Sequence, residues 1–544
     1  MRDFDLVVIG SGPAGEWGAV QAALAGKRVA VVEREPVLGG TAANTGTLPS
    51  KTLRETSLHL SGLKARGLYS VETTLRHEAT VSDFLYRERR VKGMERERIA
   101  HNLEHHGIQV FQGSGTLLDE HTVVVRRAGA DDVRLTGAFI LVATGSKPYR
   151  PPLYPFGDVR VHDSDEVLEI GQLPKSLVVV GGGVIGCEYA CMFAALGIPV
   201  TLVEVKAELL SFLDDEFSAL LAQRMEALGI RLRFGQTVEK VDVPAACEVP
   251  IRLTLSSGEE VSADQVLVAS GRSANTDGLG LSELGVKLGA RGQVEVGPAS
   301  RRALGIRLRF GQTVEKVDVP AACEVPIRLT LSSGEEVSAD QVLVASGRSA
   351  NTDGLGLSEL GVKLGARGQV EVGPGFQTAV PHIYAVGDVI GFPALASTSM
   401  DQARVAVEHA FCLGGPLSIA TVLPYGIYTI PEVSMAGETE EGLRAKAIPY
   451  VAGRAHFATN PRGQIIGETH GLLKLLFHRE SLKLLGVHVL GEQASELVHI
   501  GLVAMLTGST ARLFLETCFN YPTLSEAYKA ATFDAMDRLK RGLV

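Results

Sequence analysis

The sequence predicts an α/β fold, with two Rossmann-like domains and a third, α+β domain at the carboxyl end. Residues 6–33 and 177–204 each contain an apolar strand, a glycine-rich turn, an Ala-rich helix and a second strand that ends in an acid. This order is typical of doubly wound parallel sheets. After about residue 424 strands and helices alternate without another such turn, which favours a separate α+β domain.

The first glycine turn occupies residues 10–15 and has the spacing of a dinucleotide-binding turn. Gly10 allows the tight turn, Gly12 lets the backbone approach a pyrophosphate, and Gly15 lets the helix pack closely on the strand. The following helix directs its amino terminus at the phosphates. Glu33, at the end of the second strand, is positioned to accept hydrogen bonds from a ribose. This segment therefore predicts a nucleotide site.

The second turn repeats the pattern with Gly181, Gly183 and Gly186, and its second strand ends at Glu204. Two such turns in one chain predict two nucleotide-binding domains. A carboxylate at position 204 would bond a free ribose 2′-hydroxyl but repel a 2′-phosphate. The second site should therefore favour NAD(H), with Lys206 as the one nearby cation that would soften this preference.

Composition and charge exclude several other classes of protein. With 45% hydrophobic and 21% charged residues the chain is globular, and its net charge of −9 without like-charge blocks makes nucleic acid an unexpected partner. No apolar run reaches the roughly 18 residues that span a membrane. A strand begins near residue 4, so we expect no signal peptide. The six cysteines form no paired framework, which suits a reducing cytoplasm. No metal-ligand spacing is recognisable, so we expect no metal ion.

Residues 227–298 recur without change as residues 303–374. Solenoid repeats diverge and occur in threes or more, so two identical copies indicate a recent duplication or an assembly error. Removing one copy with its linker leaves 544 − 76 = 468 residues. We expect the first copy to complete the second sheet, because its strands follow their own helix without a long loop, which would make residues 299–374 the insertion. Two alternatives are also compatible with the sequence: the second copy completes the sheet and residues near 227–302 are the insertion, or a hybrid switches copies within the repeat.

Seven segments, in this order along the chain, resemble one protein family. They are residues 10–15, 44–51, 184–190, 384–391, 426–432, 477–479 and 519–523. The chain resembles the flavoprotein disulfide reductases, the class I pyridine nucleotide-disulfide oxidoreductases. The resemblance implies an FAD domain in two parts, 1–148 and 274–420, the second part containing or abutting the duplication. It also implies an NAD(P) domain at 149–273, a dimerisation domain at 421–544, and a homodimer or larger oligomer.

The departures from the family pattern concern its redox chemistry. The two cysteines of the family's redox disulfide correspond to Ala42 and Thr47, and its carboxyl-terminal His base corresponds to Tyr521. The base's carboxylate partner remains as Glu526. Without thiols at these two positions no dithiol relays electrons away from the flavin. Cys187 and Cys191 lie one helical turn apart near a helix amino terminus, which would lower a thiol pKa, but we favour a packing role for both.

The resemblance also assigns individual residues to cofactors. Lys51 would lie by the flavin N5 with Glu188 as its ion-pair partner, and Tyr521 would shield the other face of the flavin. Asp388 would hold a ribitol hydroxyl, although it could also cap the helix that begins near residue 396. The remaining FAD residues are Gly39, Gly40, Thr41, Ala42, Thr144, Gly145, Leu395 and Ala396, and the remaining NAD(P) residues are Ile185, Gly271 and Gly347.

The implied activity is FAD-dependent transhydrogenation between NADPH/NADP and NADH/NAD. In this hypothesis hydride passes to the flavin from one nicotinamide and then back to another, in a ping-pong sequence. One alternative is a diaphorase that passes electrons from NAD(P)H to a quinone, a dye or oxygen. An alternative of another class is a catalytically degenerate nucleotide-binding protein, because the lost cysteines could mark a lost activity.

Overall fold

The computed structural model describes residues 2–62, 80–151, 153–269, 370–391 and 393–543. It also describes strand segments at 295–296, 314–318, 327–331, 336–339 and 342–343, and residues 352, 355, 357, 360 and 362–364. Over these residues, no helix combines the length and the apolar character needed to cross a membrane. By contacts the chain divides into unit 1 (Met1–Pro36, Asn102–Tyr154 and Gly271–Leu417) and unit 2 (Val37–His101, Pro155–Ser270 and Ser418–Val544).

The described strands and helices are numbered in chain order. The strands are β1 Phe4–Ile9, β2 Val29–Glu33, β3 Gln109–Gln112, β4 Ser114–Asp119, β5 Thr122–Arg126, β6 Val133–Val142, β7 Val161–His162, β8 Leu177–Val180, β9 Val200–Glu204, β10 Arg231–Phe234, β11 Val238–Asp242, β12 Ile251–Leu255, β13 Glu260–Ala263, β14 Gln265–Val268, β15 Glu295–Val296, β16 Val314–Asp318, β17 Ile327–Leu331, β18 Glu336–Ala339, β19 Val342–Leu343, β20 Ile383–Ala385, β21 Pro424–Ile427, β22 Val433–Gly437, β23 Tyr450–His456, β24 Leu472–His478 and β25 Leu484–Leu490. The α-helices are α1 Pro13–Leu24, α2 Gly40–Asn44, α3 Thr47–Ser61, α4 Val81–His105, α5 Val184–Ala195, α6 Asp215–Ala227, α7 Ala396–Phe411, α8 Glu440–Ala445, α9 Pro461–Ile466, α10 Ala494–Leu506, α11 Ala511–Glu516 and α12 Ala527–Arg541.

Unit 1 is built on a mixed sheet in the order β3-β2-β1-β6-β5-β4, with β20 also paired to β6. Strand β6 pairs in parallel with β1 and β20, and β2 pairs in parallel with β1 and β3. Strand β5 pairs antiparallel with both β6 and β4. Strand β1 is apolar at every position except Asp5, because it lies in the middle of the sheet. The fold class expected from the first glycine turn is confirmed.

Unit 2 contains a parallel sheet in the order β10-β9-β8-β14-β7 and a separate antiparallel meander, β11-β12-β13. The sequence of the first copy predicts a meander of three strands, Thr237–Val243, Ile251–Ser256 and Gln265–Ser270. The third of these is wrong, because β14 pairs in parallel with β8 and β7. All four residues of β14 are buried, as is typical of a central parallel strand covered on both faces.

The carboxyl-terminal part of unit 2 is an antiparallel sheet, β21-β22-β25-β24-β23. Helices α10 and α12 share an apolar core with this sheet, in which Phe477, Phe514 and Tyr528 are among the largest buried side chains. The alternation of strands and helices predicted for this region is confirmed.

The two copies of the repeat contribute to different parts of the fold. The first copy completes the parallel sheet of unit 2 through β10 and β14. The second copy supplies Leu355, Leu357 and Val362 to the apolar core of unit 1. The preference for the first copy is therefore right for the sheet. It is wrong for the return segment, since Leu355, Leu357 and Val362 lie in a core and not in an insertion. The structure is the hybrid arrangement.

Candidate functional site

The turn between β1 and α1 has the backbone geometry of a nucleotide-binding turn. Gly10 has a φ of 104°, and a Cβ there would lie 2.5 Å from the Ala143 carbonyl oxygen. A Cβ on Gly15 would lie 1.9 Å from the Gly10 carbonyl oxygen. The N-cap of α1, Gly12, makes no side-chain hydrogen bond to the helix. The first-turn N–H groups are therefore uncapped, which fits an anionic phosphate.

Glu33 lies at the end of β2 and contacts the same turn. Its Oε2 accepts hydrogen bonds from the Ser11 backbone N–H at 2.9 Å and from the Ser11 hydroxyl at 2.6 Å. Its Oε1 accepts from the Glu35 N–H at 2.8 Å. These donors hold a buried carboxylate beside the helix amino terminus, where it can still accept from a ribose hydroxyl.

Asp388 lies in a short 3₁₀ segment, Gly387–Ile390, that follows β20. The Ser146 hydroxyl donates to its Oδ2 at 2.6 Å, and Gln402 Oε1 accepts from the Gly387 N–H at 2.8 Å. The alternative in which Asp388 caps the next helix is wrong, because α7 begins at Ala396 with Leu395 at its N-cap. The Asp388 carboxylate can accept hydrogen bonds from the hydroxyl-bearing chain of a flavin.

The segment after β6 turns sharply just before Ser146. Gly145 follows Thr144 and has a φ of 69°, a left-handed conformation that glycine adopts without strain. The turn brings Ser146 to Asp388, so the two strand ends β6 and β20 are joined by a side-chain hydrogen bond as well as by their parallel pairing.

The second glycine turn, in unit 2, reproduces the first. Gly181 has a φ of 109°, and a Cβ on Gly186 would lie 1.8 Å from the Gly181 carbonyl oxygen. Helix α5 has Gly183 at its N-cap, again without a side-chain hydrogen bond, and the side chain of Ile185 in its first turn is exposed. The geometry fits a second dinucleotide. The predicted residues Gly271 and Gly347 lie outside the described residues.

Glu204 ends β9 and is buried. One carboxylate oxygen accepts from the Gly182 N–H, and the other accepts from the Lys206 N–H at 2.8 Å. The Lys206 ammonium donates to the Ser211 hydroxyl at 2.6 Å and not to Glu204. The carboxylate therefore has no side-chain cation from Lys206 to offset its charge, which disfavours a 2′-phosphate.

Lys51 and Glu188 form an ion pair within unit 2. The Lys51 Nζ lies 2.8 Å from Oε1 and 2.6 Å from Oε2 of Glu188. The Glu188 side chain is 3% exposed and that of Lys51 is 25% exposed. The Tyr428 N–H also donates to Glu188 at 2.9 Å, and the Tyr428 ring lies 4.8 Å from the ammonium. The predicted pair is present, with a third residue that the sequence did not reveal.

Helices α2 and α3 position the residues that stand where the family has cysteines. Gly39 is left-handed at the N-cap of α2, and Gly40 begins that helix, which contains Thr41 and Ala42. The Gly46 N–H donates to the Thr41 carbonyl at 2.7 Å and closes the bend between the helices. Thr47 then begins α3, which carries Lys51 on its second turn.

Two family models match the chain. A family model described as pyridine nucleotide-disulphide oxidoreductase matches residues 4–303 and 298–410. The dimerisation domain of the same family matches residues 423–532. The chain belongs to this family. The two matches of the first model overlap at residues 298–303, where the linker joins the two copies of the repeat.

Relatives match along the full length of the chain. The soluble pyridine nucleotide transhydrogenase of Mycobacterium bovis is 41% identical over 542 residues, which covers 99% of this chain and 98% of the relative. The protein of that name from Pseudomonas fluorescens is 35% identical over 540 residues and covers 99% of both chains. In fold, LpdA of Mycobacterium tuberculosis matches with a TM-score of 0.76 at 23% identity, over 97% of this chain and 99% of that chain.

The cysteines near the second turn do not replace the family's redox disulfide. Cys187 and Cys191 are fully buried in the apolar core of unit 2. Burial raises the pKa of Cys187 well above its usual value and raises the pKa of Cys191 to about 12. The helix amino terminus would lower the pKa of these thiols, but desolvation is the larger effect. Both thiols stay protonated at neutral pH, and the packing interpretation is confirmed.

The carboxyl-terminal family position is altered in an exposed segment. Tyr521 is 73% exposed and is followed by a cis peptide bond to Pro522. Glu526 ends a short 3₁₀ segment, Leu524–Glu526. Its Oε2 is buried and accepts no hydrogen bond from any described residue. By resemblance alone, Glu526 corresponds to the carboxylate partner of the family's histidine and Tyr521 corresponds to that histidine.

Three polar residues at these sites were not found from the sequence. Ser146 contacts Asp388, Gln402 contacts Gly387, and Tyr428 contacts Glu188. Tyr428 falls in the family-like segment 426–432, which was the one available signal for it. The residues next to Ser146 and Gln402 in the sequence form no motif that would mark either residue as part of a site.

Proposed function

We propose that the chain catalyses FAD-dependent hydride transfer between NADPH/NADP and NADH/NAD. The observation that carries this proposal is the intact Lys51–Glu188 ion pair in a chain with Ala42 and Thr47 at the family's cysteine positions. The full-length relatives named as soluble pyridine nucleotide transhydrogenases support the same reaction.

We assign FAD to the first glycine turn, Glu33, the Thr144–Gly145 turn, Asp388 and the amino end of α7. By family resemblance alone we assign Gly39, Gly40, Thr41, Ala42 and Lys51 to the same cofactor. The second glycine turn and Glu204 are assigned to the nicotinamide nucleotide. When bound, FAD supplies the hydride acceptor and donor chemistry that side chains lack.

The chain's own residues would orient the cofactors and stabilise charge on the reduced flavin. The Lys51 ammonium, oriented by Glu188, would stabilise negative charge on the reduced cofactor. We assign Tyr521 and Glu526 to the family's carboxyl-terminal site position, with Tyr521 shielding the flavin of a partner subunit. A homodimer in the cytoplasm accords with the dimerisation domain and with the exposed apolar residues Val503, Leu506 and Phe533 on its helices α10 and α12.

Rapid anaerobic mixing tests the proposal. NADPH should bleach the flavin absorbance within the turnover time, and subsequent NAD⁺ should restore it. No long-wavelength thiolate–flavin absorbance should appear at half reduction. A chain that does not retain FAD, or a flavin that neither NADH nor NADPH reduces, would instead establish a degenerate nucleotide-binding protein.

A second candidate function is an NADH-dependent diaphorase. Glu204 favours it, because a buried carboxylate that meets the adenosine ribose opposes NADPH and a transhydrogenase must accept both nucleotides. Reduction of thionicotinamide-NAD⁺ by NADPH measures transhydrogenation, and reduction of menadione by NADH measures the diaphorase reaction. A kcat/KM for menadione that exceeds that for thionicotinamide-NAD⁺ by more than tenfold would favour the diaphorase.

A further inference from the structure

Two histidines and a glutamate meet in unit 1. Glu120 and His121 form the tight turn between β4 and β5, and His382 directly precedes β20. Strand β6 fixes both histidine backbones. The His121 carbonyl accepts from the Gly137 N–H at 2.8 Å, and the His382 carbonyl accepts from the Ile140 N–H at 2.9 Å.

The three side chains present their ligand atoms to one another. Glu120 Oε1 lies 3.8 Å from His121 Nε2, and Glu120 Oε2 lies 3.5 Å from His382 Nδ1. One ligand atom from each of the three side chains can be chosen so that all lie within 4.8 Å of one another. The two imidazole rings have centroids 4.2 Å apart at an interplanar angle of 50°. The three groups therefore surround one small volume.

The hydrogen bonds of the rings leave two nitrogens directed at that volume. His121 Nδ1 lies 3.0 Å from the Gly137 carbonyl oxygen. Because a carbonyl only accepts, Nδ1 carries the proton and Nε2 offers a lone pair towards Glu120. A backbone carbonyl on the other ring nitrogen is also the usual second partner of a metal-bound histidine. His382 Nδ1 is buried and has no hydrogen-bond partner among the described residues.

We propose that Glu120, His121 and His382 form a binding site for a divalent transition-metal ion of the zinc type. Two imidazoles and one carboxylate, completed by water, are a ligand set that zinc accepts in tetrahedral geometry. Ligand atoms at about 2.0–2.1 Å from a tetrahedral ion are about 3.3 Å apart. The three ligand atoms lie within 4.8 Å of one another, so they need to approach by at most about 1.5 Å to hold one ion. Imidazole nitrogens favour zinc, nickel and copper over magnesium or calcium.

The charges around the site are mixed. Arg2 lies close enough to His121 to oppose a cation, whereas Asp119 precedes the turn and accepts the His121 N–H at 2.8 Å. A bound ion would tie the β4–β5 turn to the residue before β20, the strand that leads to Asp388. This proposal is independent of the proposed function.

Isothermal titration of the untagged, FAD-loaded protein with zinc chloride at pH 7.5 tests the site, with accessible thiols alkylated beforehand. We expect one tightly bound zinc ion per chain, no heat with magnesium, and weaker zinc binding at pH 5.5. Glu120→Gln, His121→Ala and His382→Ala should each weaken binding at least tenfold. The matched control replaces His105 and His106 by Ala. These two residues are adjacent in the sequence, their ring centroids are 5.1 Å apart, and their loss should leave binding unchanged.

Glu120 is half exposed on a turn, so its substitution by Gln tests the site without disturbing the fold, and the FAD content verifies the two histidine variants. Absence of stoichiometric zinc binding would overturn the proposal. So would binding that Glu120→Gln and His121→Ala leave within twofold of the unsubstituted protein, or binding that the His105 and His106 control abolishes.

Discussion

The Lys51 ammonium lies 2.6 Å from Oε2 of Glu188, and this contact joins helix α3 to helix α5. The carboxylate is almost fully buried, while a quarter of the lysine side chain remains exposed. A buried carboxylate is stable only with donors around it, and here Lys51 and the Tyr428 N–H provide them. The arrangement holds one cation at a defined place next to the segment that has lost its cysteines.

Replacing Glu188 by Gln should slow flavin reduction by NADPH at least tenfold, because Lys51 would lose the charge that orients it. Stopped-flow absorbance measures this rate, and the bound FAD content should remain unchanged. The matched control is Glu432→Gln. Arg54 lies on α3, as Lys51 does, and its guanidinium is 3.1 Å from the Glu432 carboxylate. Replacing Glu432 therefore removes an ion pair from α3 without changing a contact of Lys51. Equal slowing in both variants would mean that Glu188 has only a structural role.

Glu204 should control the choice between the two nicotinamide nucleotides. Glu204→Gln keeps an acceptor for the Gly182 N–H but removes the charge that repels a 2′-phosphate. We expect the ratio of kcat/KM for NADPH to that for NADH to rise about tenfold, or about 1.4 kcal/mol. Lys206→Met is the control and should change this ratio less than twofold, since that ammonium contacts Ser211. A larger effect of Lys206→Met than of Glu204→Gln would contradict the prediction.

Local patterns in the sequence predicted the parts of the fold that depend on neighbouring residues. Both glycine turns with their terminal acids have a fixed spacing along the chain, and the structure contains both. Other contacts join residues that are far apart in the sequence. Ser146 contacts Asp388 at a separation of 242 residues, and Lys474 contacts Asp214 at a separation of 260 residues. No periodicity encodes such pairs. The Lys51–Glu188 pair, at a separation of 137, was found only through family resemblance.

The effect of burial on charge was also outside the reach of the sequence. Position on a helix suggested a lowered pKa for Cys187, but the side chain lies in a core where desolvation raises it. The use of both repeat copies was undecidable for a different reason. Identical residues have identical propensities, and only their tertiary partners distinguish Val266 from Val342.

A buried cation in unit 2 predicts the response of the protein to acid. The Lys474 ammonium lies 2.9 Å from both Asp214 and Glu216, and it also contacts Glu440. Burial alone would raise the pKa of Glu440, but hydrogen bonds from Lys474 and Tyr450 and the nearby positive charges lower it to about 2 from 4.5. Because the folded-state pKa is lowered, this carboxylate stabilises the fold fully above pH 4.5 and loses that effect as the pH falls towards 2.

Lys474→Met should destabilise the protein by about 3–5 kcal/mol, because three carboxylates would lose their common buried cation. Urea denaturation followed by fluorescence measures this change. In the variant, acidification from pH 7 to pH 5 should restore part of the lost stability as the carboxylates take up protons. Arg512→Met removes an exposed ion pair with Glu516 and should change stability by less than about 1 kcal/mol. A Lys474→Met effect as small as that of the control would show that the ammonium is dispensable.

The hybrid use of the repeat can be tested with substitutions that differ only in the copy they enter. Val266 of the first copy is fully buried in β14 of the parallel sheet, whereas its counterpart Val342 pairs with Val296 in β15. Leu355 of the second copy is buried in the core of unit 1, and its counterpart in the first copy is Leu279. Val266→Asp and Leu355→Asp should each cost more than about 3 kcal/mol, because each buries an unpaired charge. Val342→Asp and Leu279→Asp should each cost less than the same substitution at the corresponding position of the other copy.

The crossed pattern separates the three possible arrangements by thermal denaturation and bound FAD. If the first copy alone completed the fold, Val266→Asp and Leu279→Asp would be the damaging pair. If the second copy alone did so, the damaging pair would be Val342→Asp and Leu355→Asp. Only the hybrid requires damage from one substitution in each copy. The sequence surroundings of each valine or leucine are the same in both copies, so neither helix propensity nor strand propensity can account for a difference between them. Such a difference reports the tertiary partner alone.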